Sequence, residues 1–226
     1  MANTEKIFTM TESATKPTRS KSQRRRAVRS SPEKRKRELQ EFGVKAFAAK
    51  GIGNANHADV AKVAHVSVAT VFTYFPNKKA LVDGILAEVA RMMREQVVAP
   101  GQEVLAYSGK SASREMALTM SARAVIQGAH DHPEYTKVWL MWGVLYDPEM
   151  RTAYLEVESE FDELALALLK TLDDAKEADP QTLADRARLM TSGGTTLMKL
   201  ALDEPSTVRC EVYMRHIMGA MFTPFT

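Results

Sequence analysis

From residue 31 onward the apolar residues of this chain recur in steps of three and four, and no stretch alternates with the period of a half-buried strand. Leu39, Phe42, Ala46 and Phe47 fall on one face of a helix that opens at Ser31 with Pro32 in its first position and stops at Gly51. Val60, Ala61, Val63 and Ala64 predict a short helix, His65 and Val66 a tight turn, and Ser67 an N-cap for a second short helix reaching Tyr74. Pro76 and Asn77 open a longer helix whose apolar positions are Leu81, Ile85, Leu86, Val89, Met92 and Met93; it is expected to run to about Ala99 and to break at Pro100-Gly101.

Beyond a looser segment, residues 102–113, a helix is predicted over about 114–129. Pro133 then opens a stretch with Tyr135, Trp139, Trp142 and Tyr146, ended by Asp147-Pro148. Tyr154, Val157, Phe161, Leu164, Leu168 and Leu172 mark a helix packed along its length, with the acidic residues on its other face. Leu183, Ala187, Met190, Gly194, Leu197 and Ala201 repeat that spacing, and after Pro205 come Cys210, Tyr213, Met214, Ile217 and Met221, so the last two helices are expected to form an antiparallel pair. The fold class is all-α, with a three-helix helix-turn-helix unit ahead of a larger helical body.

Charge divides the chain differently. Residues 16–37 hold eleven basic residues against Glu33 alone, whereas residues 147–185 hold twelve acids against Arg151, Lys170 and Lys176. A basic end on a chain of formal charge +3 predicts a polyanion partner for that end. Residues 1–30, rich in Ser, Thr, Lys and Arg, carry too little apolar surface to order themselves and are expected to be an arm disordered when free. The basic residues that open the first helix oppose its dipole, which suits a phosphate partner better than stability. The expected division is therefore an arm at 1–30, a DNA-binding domain at 31–78 and a larger helical body at 79–226.

The longest apolar run, Val138 to Tyr146, is under half of the roughly 20 residues a membrane span needs. With no signal-peptide core at its polar start, the chain is expected to be soluble and cytoplasmic, without a membrane partner. Its single cysteine, Cys210, leaves no disulfide framework and no multi-cysteine zinc site. His130 and His132 are two apart and share no helical face, so no metal is expected, and neither is a cofactor. Without a glycine-rich phosphate loop, an HExxH motif or a nucleophile elbow, no catalysis is expected.

Gly51, Val66-Ser67, Phe72, Tyr74-Phe75, Lys78 and Leu81 together resemble the signature of the TetR family of bacterial transcription regulators. The run HADVAKVAHVSVATVFTYFP, with Lys137-Val138-Trp139 and Trp142 later, is similar to its LuxR/HapR-type branch of quorum-sensing master regulators. Thr73 departs from that branch, which carries a polar amide there, and the arm is longer and more basic. The resemblance implies a homodimer on double-stranded operator DNA, with the last two helices forming an intersubunit bundle. Repression and activation both stay open.

On that reading Ser67, Val68, Ala69, Thr70, Thr73 and Tyr74 face the DNA: the hydroxyls and methyls suit base edges and thymine methyls, and Tyr74 suits the backbone. Lys78 matches the family's phosphate-contacting lysine. Arg26 and Arg29 are placed to enter an adjacent minor groove, unless the arm is only a solvated tail. Phe72 and Phe75 are expected in the core of the small domain. Tyr135, Trp139 and Trp142, with Met116 and Met120 as adaptable walls, either line a pocket for a small apolar ligand or are plain core. Gly193-Gly194 either kinks its helix or allows close approach at a dimer interface. A sequence-indifferent architectural DNA-binding protein is the alternative to a specific regulator.

Overall fold

The computed structural model describes residues 31–108, 114–171, 179–204 and 206–222, and among these the chain is helical, without a strand. In chain order the helices are α1 (Pro32–Lys50), α2 (His57–Val63), α3 (Val68–Tyr74), α4 (Lys78–Met93), α5 (Ala99–Ser108), α6 (Arg114–Asp131), α7 (Pro133–Gly143), α8 (Pro148–Lys170), α9 (Pro180–Asp203) and α10 (Thr207–Phe222). The predicted start and stop chemistry accounts for most of these ends. Gly51 takes φ +87°, a conformation costly for a residue with a β-carbon, and its carbonyl accepts the N–H groups of Asn54 and Ala55 as the chain turns into α2. Asn77, Asp147 and Asp179 each accept a backbone N–H at the start of α4, α8 and α9.

Pro100-Gly101 does not break the chain as expected. After Met93 the helix widens into a π turn at Arg94–Val98, with the Ala99 N–H donating to the Arg94 carbonyl, and α5 continues from it. Pro100 thereby falls directly after the π turn, at the start of α5. Gly101 has a packing role: a β-carbon there would lie 2.2 Å from Leu164 Cδ2, so any larger residue would require the Leu164 side chain to move.

The main core runs without interruption from the small N-terminal helices into the body. Leu39, Val44 and Phe47 of α1 and Val60 and Val71 of α2 and α3 join Leu81, Ile85, Val89 and Met93 of α4, which meet Val138, Trp139 and Trp142 of α7 and Tyr154 and Phe161 of α8. Phe42 stays half-buried at the margin of this core. A second cluster, Ile126, Leu197, Ala201, Cys210 and Met214, binds α6, α9 and α10 together. A bidentate pair from Arg94 to Glu160, at 2.9 and 2.7 Å, fastens the π turn to α8.

Candidate nucleic-acid interface and interior cavity

Helix α2 begins with a reciprocal cap: the Asn56 side chain accepts the Ala58 and Asp59 N–H groups at 2.9 and 3.3 Å, and the Asp59 carboxylate accepts the Asn56 N–H at 3.0 Å. Lys50 pairs with Asp59 and holds its carboxyl below the usual aspartate range, with the Asn56 N–H assisting against partial burial. The turn passes through His65 at φ 53°, and the Val66 N–H closes it on the Ala61 carbonyl at 3.0 Å. Ser67 caps α3 as predicted, its Oγ accepting the Thr70 N–H at 3.1 Å.

The two ends of a seven-residue helix leave room for one buried stripe, and Val71 takes it, continued by Phe75 just beyond. Ser67, Val68, Ala69 and Thr73 are exposed, and Thr70 and Tyr74 half-exposed, so the side chains expected at DNA share the open side of α3. Thr73 donates its hydroxyl proton to the Ala69 carbonyl at 3.0 Å, which leaves its methyl and lone pairs to the outside. Phe72 corrects the expectation of a core residue. It sits about 100° round from Val71, is 46% exposed, and stacks on His57 with ring centroids 3.9 Å apart and planes 7° from parallel. His57 is itself buried and hydrogen-bonds through Nε2 to the Phe75 carbonyl at 2.8 Å, pinning the end of α3 to the start of α2.

Lys78 is an exposed residue whose ammonium is engaged by backbone carbonyls. Its ammonium donates to the Ala55 carbonyl and, at 3.4 Å, to that of Ile52, and lies 5.5 Å from the centroid of Phe47. Burial pushes it below the ordinary lysine value, and the charge of Asp59 opposes that. In this structure, which holds no DNA, the side chain ties the α1–α2 connection to α4. Lys79 beside it pairs with Asp83 at 3.0 Å and with Glu149 at 2.7 Å. Arg26 and Arg29 lie outside the described residues.

Farther along α4, Glu88 is a buried carboxylate held by Arg91 at 2.5 and 2.9 Å, with Arg37 of α1 at 4.0 Å. Tyr135 of α7 faces the same charge, and burial together with Glu88 pushes its hydroxyl up to about 12. One charged cluster thus joins α1, α4 and α7.

A cavity of about 100 Å³ opens between the π turn and α5, α6, α8 and α9, with Leu118, Val125, Phe161, Leu164, Met190 and Met198 among its walls. None of the residues expected to line a pocket is among the walls of this cavity. Tyr135, Trp139 and Trp142 are main-core residues: Trp139 stacks on Tyr154 at 4.3 Å and leans on Phe161 at 5.6 Å, and the Trp142 N–H donates to the Met150 carbonyl at 2.8 Å. Met116 and Met120 are 48% and 38% exposed. Aromatic residues pack where several helices converge, and here that point lies one layer away from the cavity. Gly193 and Gly194 also line the cavity.

Among the described residues no group of three His, Cys, Asp or Glu side chains could hold a metal ion. His130 Nε2 lies 3.3 Å from the Glu204 carbonyl, and His132 meets Tyr135 edge-on. Cys210 is buried, and burial followed by the charge of Glu204 pushes its thiol up, the opposite of an activated thiolate. No helix among the described residues is long and apolar enough to cross a membrane.

Residues 41–85 match the family described as "Bacterial regulatory proteins, tetR family". A curated relative, the HTH-type transcriptional regulator LuxR of Vibrio harveyi, is 52% identical over 68 residues, 30% of this chain; the chain thus spans about a third (33%) of that regulator's length. Two solved structures share the fold: AibR in complex with isovaleryl coenzyme A and operator DNA (TM-score 0.64, 16% identity, 84% of this chain and 100% of that one), and the transcriptional regulator FadR of Bacillus subtilis in complex with stearoyl-CoA (TM-score 0.63, 11% identity, 84% and 98%).

Proposed function

We propose that this chain, a TetR-family protein by its N-terminal domain and by its fold, is a homodimeric regulator of transcription that reads a pseudo-palindromic operator. The observation that carries the reading is the open side of α3, where Ser67, Val68, Ala69, Thr70 and Thr73 form a low surface of methyls and hydroxyls with Phe72 and Tyr74 partly exposed on the same helix. Such a helix can sit deep in a major groove and read thymine methyls and base edges at short range. Tyr74 and the unpaired N–H groups that open α4 are the phosphate contacts, with Arg26 and Arg29 of the arm in the adjoining minor groove. Lys78 is left out of the contact set because its ammonium is already held.

Dimerisation is assigned to α9 and α10. Leu189 of α9 and Val208 and Val212 of α10 stand 50%, 72% and 38% exposed, apolar side chains that a second copy would bury. A quorum-sensing-linked role is proposed on the likeness of residues 57–76 to the LuxR/HapR-type branch. The cavity between α6, α8 and α9 is the seat of a small apolar effector, which acts only so far as it binds one spacing of the two reading heads better than another. The Glu88 cluster, touching α1, α4 and α7, is the natural relay for that difference.

The test is the preference of the protein for its selected DNA sequence over a scrambled duplex. Substituting Ser67, Thr70 and Thr73 together by alanine is expected to collapse that preference by about 10-fold or more, since each lost base contact is worth roughly 1–3 kcal/mol. An unchanged preference would remove α3 as the reader.

A further inference from the structure

Gly193 and Gly194 occupy the middle of a helix of 24 residues, where glycine weakens a helix relative to alanine. At Gly43, Gly84 and Gly101 a neighbouring side chain explains the glycine, because an added β-carbon would strike Ile85, Phe75 or Leu164 within 2.6 Å. At Gly194 no such reason exists: a β-carbon there meets no other atom within 4 Å. Both glycines line the cavity.

That cavity has a definite chemistry. No ionisable side chain lines it. Two of its hydroxyls have committed protons, Ser121 donating to the Ala117 carbonyl at 3.0 Å and Thr191 to the Ala187 carbonyl at 3.3 Å, so what they turn to a guest is lone pairs. Apart from Thr195, a third hydroxyl residue, the rest of the wall is aliphatic, thioether and aromatic. An anion entering it would give up hydration and find no counter-charge, and a volume of about 100 Å³ suits a guest near the size of one ring.

We propose that this cavity takes a compact, uncharged ligand, an apolar ring or short branched chain bearing one N–H or O–H group, and that Gly194 is the residue that keeps room for it. The proposal rests on the reading of the cavity as the effector site. It differs from the coenzyme A thioesters held by the two structural neighbours, whose phosphates have no cation to meet in this lining.

The experiment follows the methionine methyl signals of the full chain during titration with phenol, benzene and benzoate. Met190 and Met198 line the cavity and Met116 lies on the surface, so the first two report entry and the third controls for non-specific effects. Phenol is expected to shift Met190 and Met198 saturably, with benzene at least threefold weaker and benzoate at least tenfold weaker. Gly194→Leu is expected to weaken phenol at least tenfold while melting at or above the wild-type temperature, because leucine is the better helix former and fills empty space. Should Gly194→Leu melt early, Gly194→Ala carries the comparison, with binding weakened at least threefold. Benzoate bound as well as phenol, no saturable shift with any of the three, or equal phenol binding by the glycine variants would overturn the proposal. Operator binding is measured on the same samples: its absence in the wild type would sink the regulator reading, whereas its presence beside a silent cavity would sink this inference alone.

Discussion

Replacing Lys78 by methionine keeps the reach of the side chain and removes only its ammonium. The Ala55 carbonyl then loses its donor, the Ile52 carbonyl a longer contact of 3.4 Å, and Phe47 a cation 5.5 Å from its centroid. A hydrogen bond from a charged donor is worth about 1.5–3 kcal/mol and a part-exposed cation over a ring about 0.5–1 kcal/mol. The burial that lowers the basicity of this lysine works against both, so a net loss of about 1.5–2 kcal/mol is expected, read as a fall of about 3–8 °C in Tm. The companion assay is the salt dependence of operator binding. A lysine on a phosphate contributes about 0.9 to the slope of log K against log salt, whereas a lysine tied to Ile52 and Ala55 contributes almost nothing. An unchanged Tm together with a slope lower by about 0.9 would refute the tie and restore Lys78 to the DNA surface.

Three further outcomes are expected. Gly84→Ala would set a β-carbon 2.6 Å from Cε1 of the buried Phe75 ring, an overpacking worth about 1–3 kcal/mol; an unshifted urea midpoint would contradict the close approach. Phe72→Ala is expected to cost under about 1.5 kcal/mol and Phe75→Ala about 3–5 kcal/mol, because Phe72 is 46% exposed and Phe75 only 1%; equal losses would return Phe72 to the core. Asp59, whose folded carboxyl is held below its ordinary range chiefly by Lys50, contributes stability at neutral pH that is lost as pH falls through its folded value. Urea midpoints of wild type and Asp59→Asn should therefore converge on acidification below the ordinary aspartate range, and a gap that stays constant with pH would show that the Asp59 charge does not matter.

What the sequence disclosed was mostly local chemistry. Ser67, Gly51 and the proline-led helix starts act on backbone groups within a few residues, so residue type and spacing reveal them. Glycine and proline together mislead at 100–101, because Pro100 follows a π turn and Gly101 packs against Leu164 of α8, neither of which residue type reveals. Phe72 and Phe75 are indistinguishable by type, and seven residues are too few for periodicity to say which of them faces inward. Lys78 finds its acceptors more than twenty positions away, at Ile52 and Ala55, a pairing that no spacing rule reveals. The cavity eluded the sequence for a different reason: its walls combine small residues such as Ala122, Ala165 and Gly194 with ordinary aliphatics, while the conspicuous aromatics of α7 went to the core.

The central claim, that α3 and its dimer mate read one DNA sequence, is tested most directly by selecting bound duplexes from a random pool and comparing the winner with a scrambled control at several salt concentrations. The account predicts a pseudo-palindrome with half-sites one helical turn apart, about 34–36 Å, bound about 10³-fold or more over the control. Equal binding of both duplexes at every salt concentration would contradict it and leave a protein held to DNA by charge alone.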